Sequence, residues 1–169
     1  SRALDLGVDI INDVGGLRDD RMCALLSRHE GDIIVMHALS IPADHAHTFP
    51  KDCDIVAELL AWKEAINAHA QARGIALTRL IYDAGIGFGK TAEQSLALLL
   101  AAQRFQHSGG RWLYGHSRKS FLSIFSKANA AQRDDLTLAF SAQLAAAHAD
   151  YLRVHHVARH TAMFDQLCT

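Results

Sequence analysis

Short apolar segments recur along the chain, and longer helical patterns separate them. Five of these segments have the length and the residue content of buried strands. Each is followed by polar residues or glycines. The predicted strands are Ile10–Ile11, Ile33–Met36, Leu80–Tyr82, Trp112–Tyr114 and Tyr151–Val154.

Five helical segments follow the predicted strands. The second ends at Gly74, a residue typical of a helix C-terminus. From Ile10 to Tyr151 the step between strands averages about 35 residues, which matches a βα unit. The alternation therefore predicts an α/β fold with a parallel sheet. The predicted helices are Asp20–Arg28, Asp54–Arg73, Ala92–Phe105, Asp135–His148 and His160–Leu167.

The stretch from Leu80 to Thr91 combines a buried strand, a strand-ending carboxylate and three glycines. Asp83 offers two acceptor oxygens, which suit a planar ligand edge that carries adjacent N–H donors. Lys90 and exposed backbone amides lie just beyond it. Alternatively, the glycines only punctuate a βα junction and Asp83 caps the following helix.

All five predicted strands end in side chains that can bind a ligand. An open doubly wound sheet needs such residues at only one or two strand ends, because its ligand binds where the strand order reverses. A site built from every strand end is typical of a (βα)8 barrel, whose active site lies at the C-terminal face. The strand ends carry Asn12 and Asp13, then His37, Asp83, Ser117-Arg118-Lys119, and finally Arg153 with His155.

The chain is too short for a whole barrel. A complete (βα)8 barrel takes about 250 residues, whereas this chain has 169. The sequence therefore predicts a partial TIM barrel of five parallel βα units. Residues 1–7 resemble the tail of a helix, so we expect the missing units to precede them. We expect residues 1–169 to form one domain, since no linker or composition shift divides them.

The composition favours a small-molecule partner. A net charge of −1 with 21% charged residues provides no basic surface for nucleic acid. No apolar run is long enough to span a bilayer, so we expect no membrane association. The cysteines Cys23, Cys53 and Cys168 fit no metal or redox spacing, and they predict reduced thiols in a cytoplasmic protein.

Four blocks of residues resemble the dihydropteroate synthase family, the pterin-binding barrel enzymes of folate synthesis. Together the blocks run through almost the whole chain. The resemblance implies a (βα)8 barrel of which this chain supplies strands four to eight with their helices. The blocks are Ile11-Asn12-Asp13-Val14; Met36-His37 with Pro42; Asp83 to Lys90; and Gly115-His116-Ser117-Arg118-Lys119-Ser120 with Arg153-Val154-His155.

This resemblance implies a reaction and a role for each site residue. The family condenses 6-hydroxymethyl-7,8-dihydropterin diphosphate with p-aminobenzoate, which yields 7,8-dihydropteroate and diphosphate. Catalytic roles fall to Lys119, Arg153 and His155, of which the last two bind the diphosphate. The implied pterin-binding residues are Asn12, Met36, Asp83, Phe88, Lys119 and Arg153. The implied p-aminobenzoate-binding residues are Phe88, Ser117 and Arg118.

The resemblance also implies a magnesium cofactor and a target of sulfonamides, and the unpaired edges of a partial barrel predict a homodimer or other self-association. The family's magnesium ligand lies in the part of the barrel that precedes this chain, so no metal ligand is assigned here. Leu39 and Ser40 differ from the polar and glycine residues that are usual after Met-His, and two further residues depart from the family pattern. Ala84 stands where proline is common, and His156 stands where an aspartate commonly follows the Arg-Val-His segment. The second departure replaces an acceptor carboxylate with an imidazole beside the implied diphosphate site.

The sequence is also compatible with two other functions. The segment from Ala84 to Thr91 ends in Gly-Lys-Thr and differs from a phosphate-binding loop only at its first position. This near match suggests a nucleotide-binding protein. A non-catalytic pterin-binding remnant would keep the same pocket residues and lose turnover.

Each candidate residue also has a purely structural interpretation. Asn12 with Asp13, or Ser117, could cap a following helix, and Arg153 or His155 could make ordinary surface contacts. The eleven histidines invite a metal interpretation. The pairs His45 with His47 and His156 with His160 have few further ligands nearby, so solvated polar residues are the simpler expectation.

Overall fold

Five parallel strands form one sheet, and their spatial order follows their order in the sequence. The computed structural model describes residues 2–42, 47–127, 129 and 133–167. A doubly wound sheet reverses its strand order, whereas a barrel keeps neighbours in sequence. The order therefore confirms the prediction of a partial barrel. The strands are β1 (Ile10–Asp13), β2 (Asp32–Met36), β3 (Leu80–Asp83), β4 (Arg111–Tyr114) and β5 (Tyr151–Leu152).

Helices connect the strands and cover one face of the sheet. Short 3-10 turns at Leu77–Arg79 and Ser120–Ile124 complete the connections. The predicted helix over residues 92–105 is interrupted at Ala101, whose ψ of 8° leaves the α conformation. The α-helices are α1 (Arg2–Asp5), α2 (Asp20–Leu26), α3 (Ile55–Ala72), α4 (Ala92–Leu100), α5 (Ala102–His107), α6 (Asp134–Ala146) and α7 (Val157–Leu167).

The last strand is shorter than predicted. β5 ends at Leu152 rather than Val154, and α7 begins at Val157 rather than His160. Within the described residues β5 pairs only with β4, through Leu113↔Tyr151 and Tyr114↔Leu152. Because β4 itself ends at Tyr114, the ladder offers no partner beyond that point.

Short polar side chains begin three of the helices. Asp19 accepts hydrogen bonds from backbone amides at the start of α2, and Asp54 does the same for α3. Thr91 and Gln94 form a reciprocal capping box at the start of α4. Gly74 follows α3 with a φ of +72°, which confirms its predicted place at a helix C-terminus.

The strand register separates a helix-facing side of the sheet from an inner side. Ile33, Val35, Trp112 and Tyr114 belong to the buried cluster that packs against the helices. Asn12 pairs with Ile34, and Met36 pairs with Asp83. Partners in a parallel ladder face the same side, and so do residues two apart in a strand. The inner side therefore carries the polar residues of the C-terminal strand ends.

An ion pair lies on the inner side at the N-terminal ends of the strands, opposite the polar strand ends. Arg111 donates to both carboxylate oxygens of Asp32 at 2.6 and 2.7 Å. The hydrogen bond to Arg111 is the main reason that the pKa of Asp32 lies below its usual value. This pair links β2 to β4 beneath the site, and its bidentate geometry is the strong form of such a contact.

No helix in the described part of the chain is long and apolar enough to cross a membrane.

Cys23 and Cys53 are both free thiols, as predicted. Cys23 is buried and donates to the carbonyl oxygen of Leu17 at 3.3 Å, and burial raises the pKa of its thiol. Cys168 lies outside the described residues.

A run of aromatic contacts buries His37, the first residue after β2. Its ring stacks on Phe49, with ring centroids 5.6 Å apart, and meets the edge of Trp62 at 5.1 Å. Its Nδ1 has no hydrogen-bond partner in the described part of the chain. Burial, helped by the charges of Lys90 and Arg18, lowers the pKa of His37 to about 3. His37 is therefore a neutral packing residue at neutral pH.

We expect acid to destabilise the protein through His37. The folded-state pKa of His37 lies below the ordinary 6.5. Between pH 6.5 and 3, therefore, His37 is protonated in the unfolded chain but stays neutral in the folded chain. Stability attributable to this residue is thus complete above pH 6.5 and falls as the pH drops. From pH 7 to 5 the loss should be about 2 kcal/mol. Urea unfolding of the protein and of His37→Phe at both pH values measures it.

The phenylalanine keeps the ring packing and removes the titration, so its pH-dependent loss should be smaller by that amount. His107→Gln, which changes an exposed histidine of α5, serves as the matched control and should follow the unmodified protein. Equal pH dependence in His37→Phe and the unmodified protein would contradict the assignment.

Candidate active site

Asp83, the last residue of β3, is the buried charge at the centre of the strand ends. Its Oδ1 accepts a hydrogen bond from the amide of Gly85 at 2.8 Å, and its Oδ2 accepts one from Nη2 of Arg153 at 2.7 Å. The Asp83 side chain is 1% exposed, whereas that of Arg153 is 44% exposed. A carboxylate has about four lone-pair sites, so two contacts leave it able to accept from a ligand.

Gly115 provides the space through which Arg153 reaches Asp83. A Cβ atom built on Gly115 would lie 2.6 Å from Nη2 of Arg153 and 3.2 Å from its Cζ. Any larger residue would displace the guanidinium. The sequence predicted no role for Gly115 beyond its place in a family block, and only the path of the Arg153 side chain explains it.

The loop after Asp83 requires its glycines. Gly85, Gly87 and Gly89 all have positive φ values, between +60° and +80°. A Cβ atom on Gly85 would also lie 1.9 Å from the carbonyl oxygen of His37. The loop therefore turns directly against the end of β2, as a backbone without a side chain allows.

Lys90 holds this loop from inside. Its buried ammonium donates to the carbonyl oxygens of His37, Gly85 and Phe88 at 3.2, 3.0 and 3.1 Å. Burial lowers its pKa to about 7, and the charge of Asp83 opposes that shift. Three carbonyl partners match the three N–H groups of an ammonium.

These contacts argue against the phosphate-loop alternative. In that alternative the ammonium of Lys90 and the hydroxyl of Thr91 would face phosphate and metal. Instead Lys90 donates to three backbone carbonyls, and the Thr91 hydroxyl accepts from the amide of Gln94 as a helix cap. In the Gly-Lys-Thr segment, Lys90 therefore holds the glycine loop together and Thr91 caps helix α4.

Lys119 brings a second ammonium to the same loop. Its Nζ donates to the carbonyl oxygen of Ile86 at 2.7 Å and lies 4.4 Å from the ring centroid of Phe88. Burial lowers its pKa, with a further contribution from Arg153, while Asp83 opposes the shift. One carbonyl partner leaves this ammonium with capacity for further acceptors. Asp83, Phe88, Lys119 and Arg153 thus form one cluster.

Ser117 and His155 join the ends of β4 and β5. The amide of His155 donates to the Ser117 hydroxyl at 3.2 Å, and Nδ1 of His155 lies 2.9 Å from the same oxygen. Ser117 is buried and His155 is exposed. The contact directs Nδ1 to Ser117, which leaves Nε2 as the second ring nitrogen that can meet an anion.

Arg118 contacts a helix. Its Nε and Nη2 donate to the two carboxylate oxygens of Asp134 at 2.7 and 2.8 Å, at the start of α6. Its backbone φ is +58°, one of three positive values among described residues other than glycine. The guanidinium that the resemblance assigned to p-aminobenzoate is thus paired with a carboxylate of the protein.

Asn12 and Met36 lie on the inner side of the sheet. Met36 is buried beside Asp83 in the ladder, and Asn12 is exposed on β1, which has one neighbour among the described strands.

Asp13 does not cap a helix. Its two carboxylate oxygens accept from the amides of Gly15 and Leu17, which closes the loop after β1.

The helix-cap interpretation of Ser117 is also not supported, since the 3-10 turn after it has no side-chain cap bond. Among described residues, no group of three or more His, Cys, Asp or Glu side chains is placed to hold a metal ion. His45 lies outside the described residues. His160 is buried, and its Nδ1 lies 2.9 Å from the carbonyl oxygen of His156.

Known proteins match this chain in sequence and in fold. The profile of the family described as pterin binding enzyme matches residues 1–155. A dihydropteroate synthase of Neisseria meningitidis serogroup B is 36% identical over 162 residues, which cover 92% of this chain and 56% of that protein. The curated relatives are longer than this chain, which covers between 19% and 56% of their length.

Solved structures agree with the sequence match. The dihydropteroate synthase of Anaplasma phagocytophilum with bound 6-hydroxymethylpterin-monophosphate has a TM-score of 0.87 and 34% identity, over 92% of this chain and 61% of that one. The enzyme of Thermus thermophilus in complex with 4-aminobenzoate has a TM-score of 0.86 and 36% identity, over 95% and 62%. With strand ends that gather one buried carboxylate, two cations and a glycine loop, this chain belongs to the family of pterin-binding enzymes.

Proposed function

We propose that this chain forms the C-terminal part of a dihydropteroate synthase, which joins 6-hydroxymethyl-7,8-dihydropterin diphosphate to p-aminobenzoate and releases diphosphate. The observation that carries the proposal is the cluster of Asp83, Lys119 and Arg153. Three neighbouring strands deliver one buried carboxylate and two cations to one place. Among the matched structures, the Anaplasma enzyme holds a pterin monophosphate and the Thermus enzyme holds 4-aminobenzoate.

Asp83 suits the edge of a pterin. The amino-pyrimidinone edge presents adjacent N–H donors, and the unused lone pairs of Asp83 can accept them while its contacts to Gly85 and Arg153 persist. Lys119 can donate to the pterin carbonyl from the same cluster. Asn12 and Met36 extend this surface on the inner side of the sheet.

Arg153 and His155 suit the departing diphosphate. A guanidinium has five N–H donors, and Nη2 of Arg153 is the donor that contacts Asp83. The remaining donors and Nε2 of His155 can stabilise the charge that grows on the leaving oxygen as the carbon–oxygen bond breaks. p-Aminobenzoate then supplies the amine nucleophile, with Phe88 and Ser117 beside its ring.

We also propose a location, an inhibitor class and an oligomeric state for the whole protein. Among the described residues, no group of three or more His, Cys, Asp or Glu side chains is placed to hold magnesium. Sulfonamide sensitivity follows from the family resemblance, a cytoplasmic location from the spacing of the cysteines, and a homodimer from the open edges of the sheet. Self-association has physical support from β1 and β5, each of which has one neighbour among the described strands.

Asp83→Asn should weaken binding of 6-hydroxymethylpterin. The loss of a charged acceptor at a buried polar edge costs about 1.5–3 kcal/mol, which corresponds to roughly ten- to a hundred-fold in affinity. Isothermal calorimetry on the natural full-length protein measures the change, with Asp135→Asn, an exposed aspartate of α6, as the control. Unchanged affinity in Asp83→Asn would rule out this site assignment.

Arg153→Ala should lower kcat more than it weakens pterin binding. Stabilisation of developing charge acts on the transition state, whereas binding of the unphosphorylated pterin does not involve the leaving group. Steady-state kinetics and calorimetry on the same protein separate the two effects. Gly115→Ala should act in the same direction, because its Cβ would displace the Arg153 guanidinium. A loss confined to pterin affinity would contradict the leaving-group role.

Residues 1–169 on their own should show no measurable synthase activity. A closed barrel needs two neighbours for every strand, and β1 and β5 have one each among the described strands. The Arg153 side chain is also 44% exposed in the open pocket, and contact with water weakens its attraction for the leaving diphosphate. The assay follows dihydropteroate formation with magnesium, before and after addition of the remaining barrel segment in trans. Turnover before that addition would refute the expectation, and pterin binding without turnover in the full-length protein would favour a non-catalytic remnant.

A further inference from the structure

The loop that follows β4 is held by helix α6. Arg118 and its neighbours contact four residues between Arg133, which precedes that helix, and Ser141 in its middle. Nη1 of Arg133 donates to the carbonyl oxygen of Lys119 at 3.3 Å. The other three contacts come from Asp134, Thr137 and Ser141, which we call the polar stripe of α6. Their spacing of three and four residues places them on one face of the helix.

Each member of the polar stripe holds a different part of the loop. Asp134 accepts both hydrogen bonds from the Arg118 guanidinium, at 2.7 and 2.8 Å. The Thr137 hydroxyl accepts from the backbone amide of Arg118 at 3.2 Å and lies 3.0 Å from the carbonyl oxygen of Arg133, to which it donates. The Ser141 hydroxyl lies 2.9 Å from Nε2 of His116.

The direction of the Ser141 contacts follows from their neighbours. Nδ1 of His160 lies 2.9 Å from the carbonyl oxygen of His156, which can only accept, so Nδ1 carries the proton. In the neutral ring Nε2 of His160 is then an acceptor, and the Ser141 hydroxyl donates to it across 2.9 Å. The Ser141 oxygen must therefore accept from Nε2 of His116, which ties the loop through α6 to the start of α7.

Arg118 needs an anchor because its backbone is in the left-handed region. A φ of +58° is disfavoured for a residue with a β-carbon. This turn lies between two residues of the proposed site. Ser117 before it contacts His155, and Lys119 after it contacts Ile86 and the Phe88 ring. A change at Arg118 would therefore move both side chains.

We propose that Arg118, anchored by Asp134 and Thr137 of the polar stripe, is a positioning residue that places Ser117 and Lys119 for p-aminobenzoate. The inference rests on the proposed function for its substrate, but the anchoring itself does not. In this proposal the Arg118 side chain binds Asp134 within the protein. This contact replaces the contact with p-aminobenzoate that the family resemblance assigned to Arg118.

Asp134→Asn in the natural full-length protein tests the anchor. Loss of one charged partner should raise the KM for p-aminobenzoate about tenfold and change kcat by less than about threefold. Hydrogen exchange at the Arg118 amide should accelerate by a similar factor. Asp135→Asn, the next residue of the same helix turn, makes an exposed pair with Arg159 and should change neither quantity. An unaltered KM or unaltered exchange in Asp134→Asn would overturn the proposal.

A charge swap separates positioning from substrate contact. Arg118→Asp combined with Asp134→Arg rebuilds the pair with reversed polarity, and aspartate tolerates the left-handed backbone. If the pair positions the loop, the double variant should recover the KM to within about threefold, whereas each single variant stays impaired. Failure of the swap to recover any activity would assign Arg118 to the substrate and overturn the proposal.

Thr137 supplies a second test that keeps all charges. Thr137→Val removes the oxygen that accepts from the Arg118 amide, and Thr137→Ser retains it. The valine variant should show the raised KM and faster exchange, and the serine variant should restore both. Equal behaviour of the two variants would overturn the role of Thr137. If the unmodified protein forms no dihydropteroate, the proposed function fails, while the exchange measurements still decide the anchor.

Discussion

The ion pair between Asp83 and Arg153 is the constraint on which the rest of the site depends. A carboxylate that is 1% exposed has lost its water, and that desolvation costs several kcal/mol unless other donors replace it. The replacements are the Gly85 amide and the Arg153 guanidinium. The turn at Gly85 brings the first to Asp83, and the space at Gly115 admits the second. A ligand that binds Asp83 must either donate hydrogen bonds in addition to these two or replace one of them.

Two lysines near this carboxylate differ in what their ammonium groups contact. Lys90 donates to three backbone carbonyls and fastens the glycine loop to the end of β2. Lys119 donates to one carbonyl and lies over an aromatic ring, which keeps it able to meet a substrate. The number of hydrogen-bond partners separates a cation whose donors are all used within the protein from one that can donate to further acceptors. A Gly-Lys-Thr segment alone therefore does not indicate a phosphate site.

Helix α6 shows how a buried helix face can be polar and still stabilise the fold. Its buried residues are Thr137, Ser141 and Leu144, so one side chain packs and the other two make hydrogen bonds. Each hydroxyl of that face has partners on the loop after β4 or on α7. Such satisfied networks specify one arrangement of their neighbours, because an unpaired group at the same place would be costly. The strained backbone of Arg118 persists for this reason.

The sequence by itself determined five parallel βα units, the helix starts at Asp54 and Thr91, and Asp83 as a strand-ending carboxylate. These features depend on residues that are close in the chain, where apolar period, caps and turn glycines act. Tertiary structure alone decided that Arg153 meets Asp83 across 70 residues and that Arg118 meets Asp134 across 16. It also ended β5 at Leu152, where its neighbour β4 stops. Pairings between distant charges and between edge strands depend on which elements pack together, and local pattern does not encode that choice.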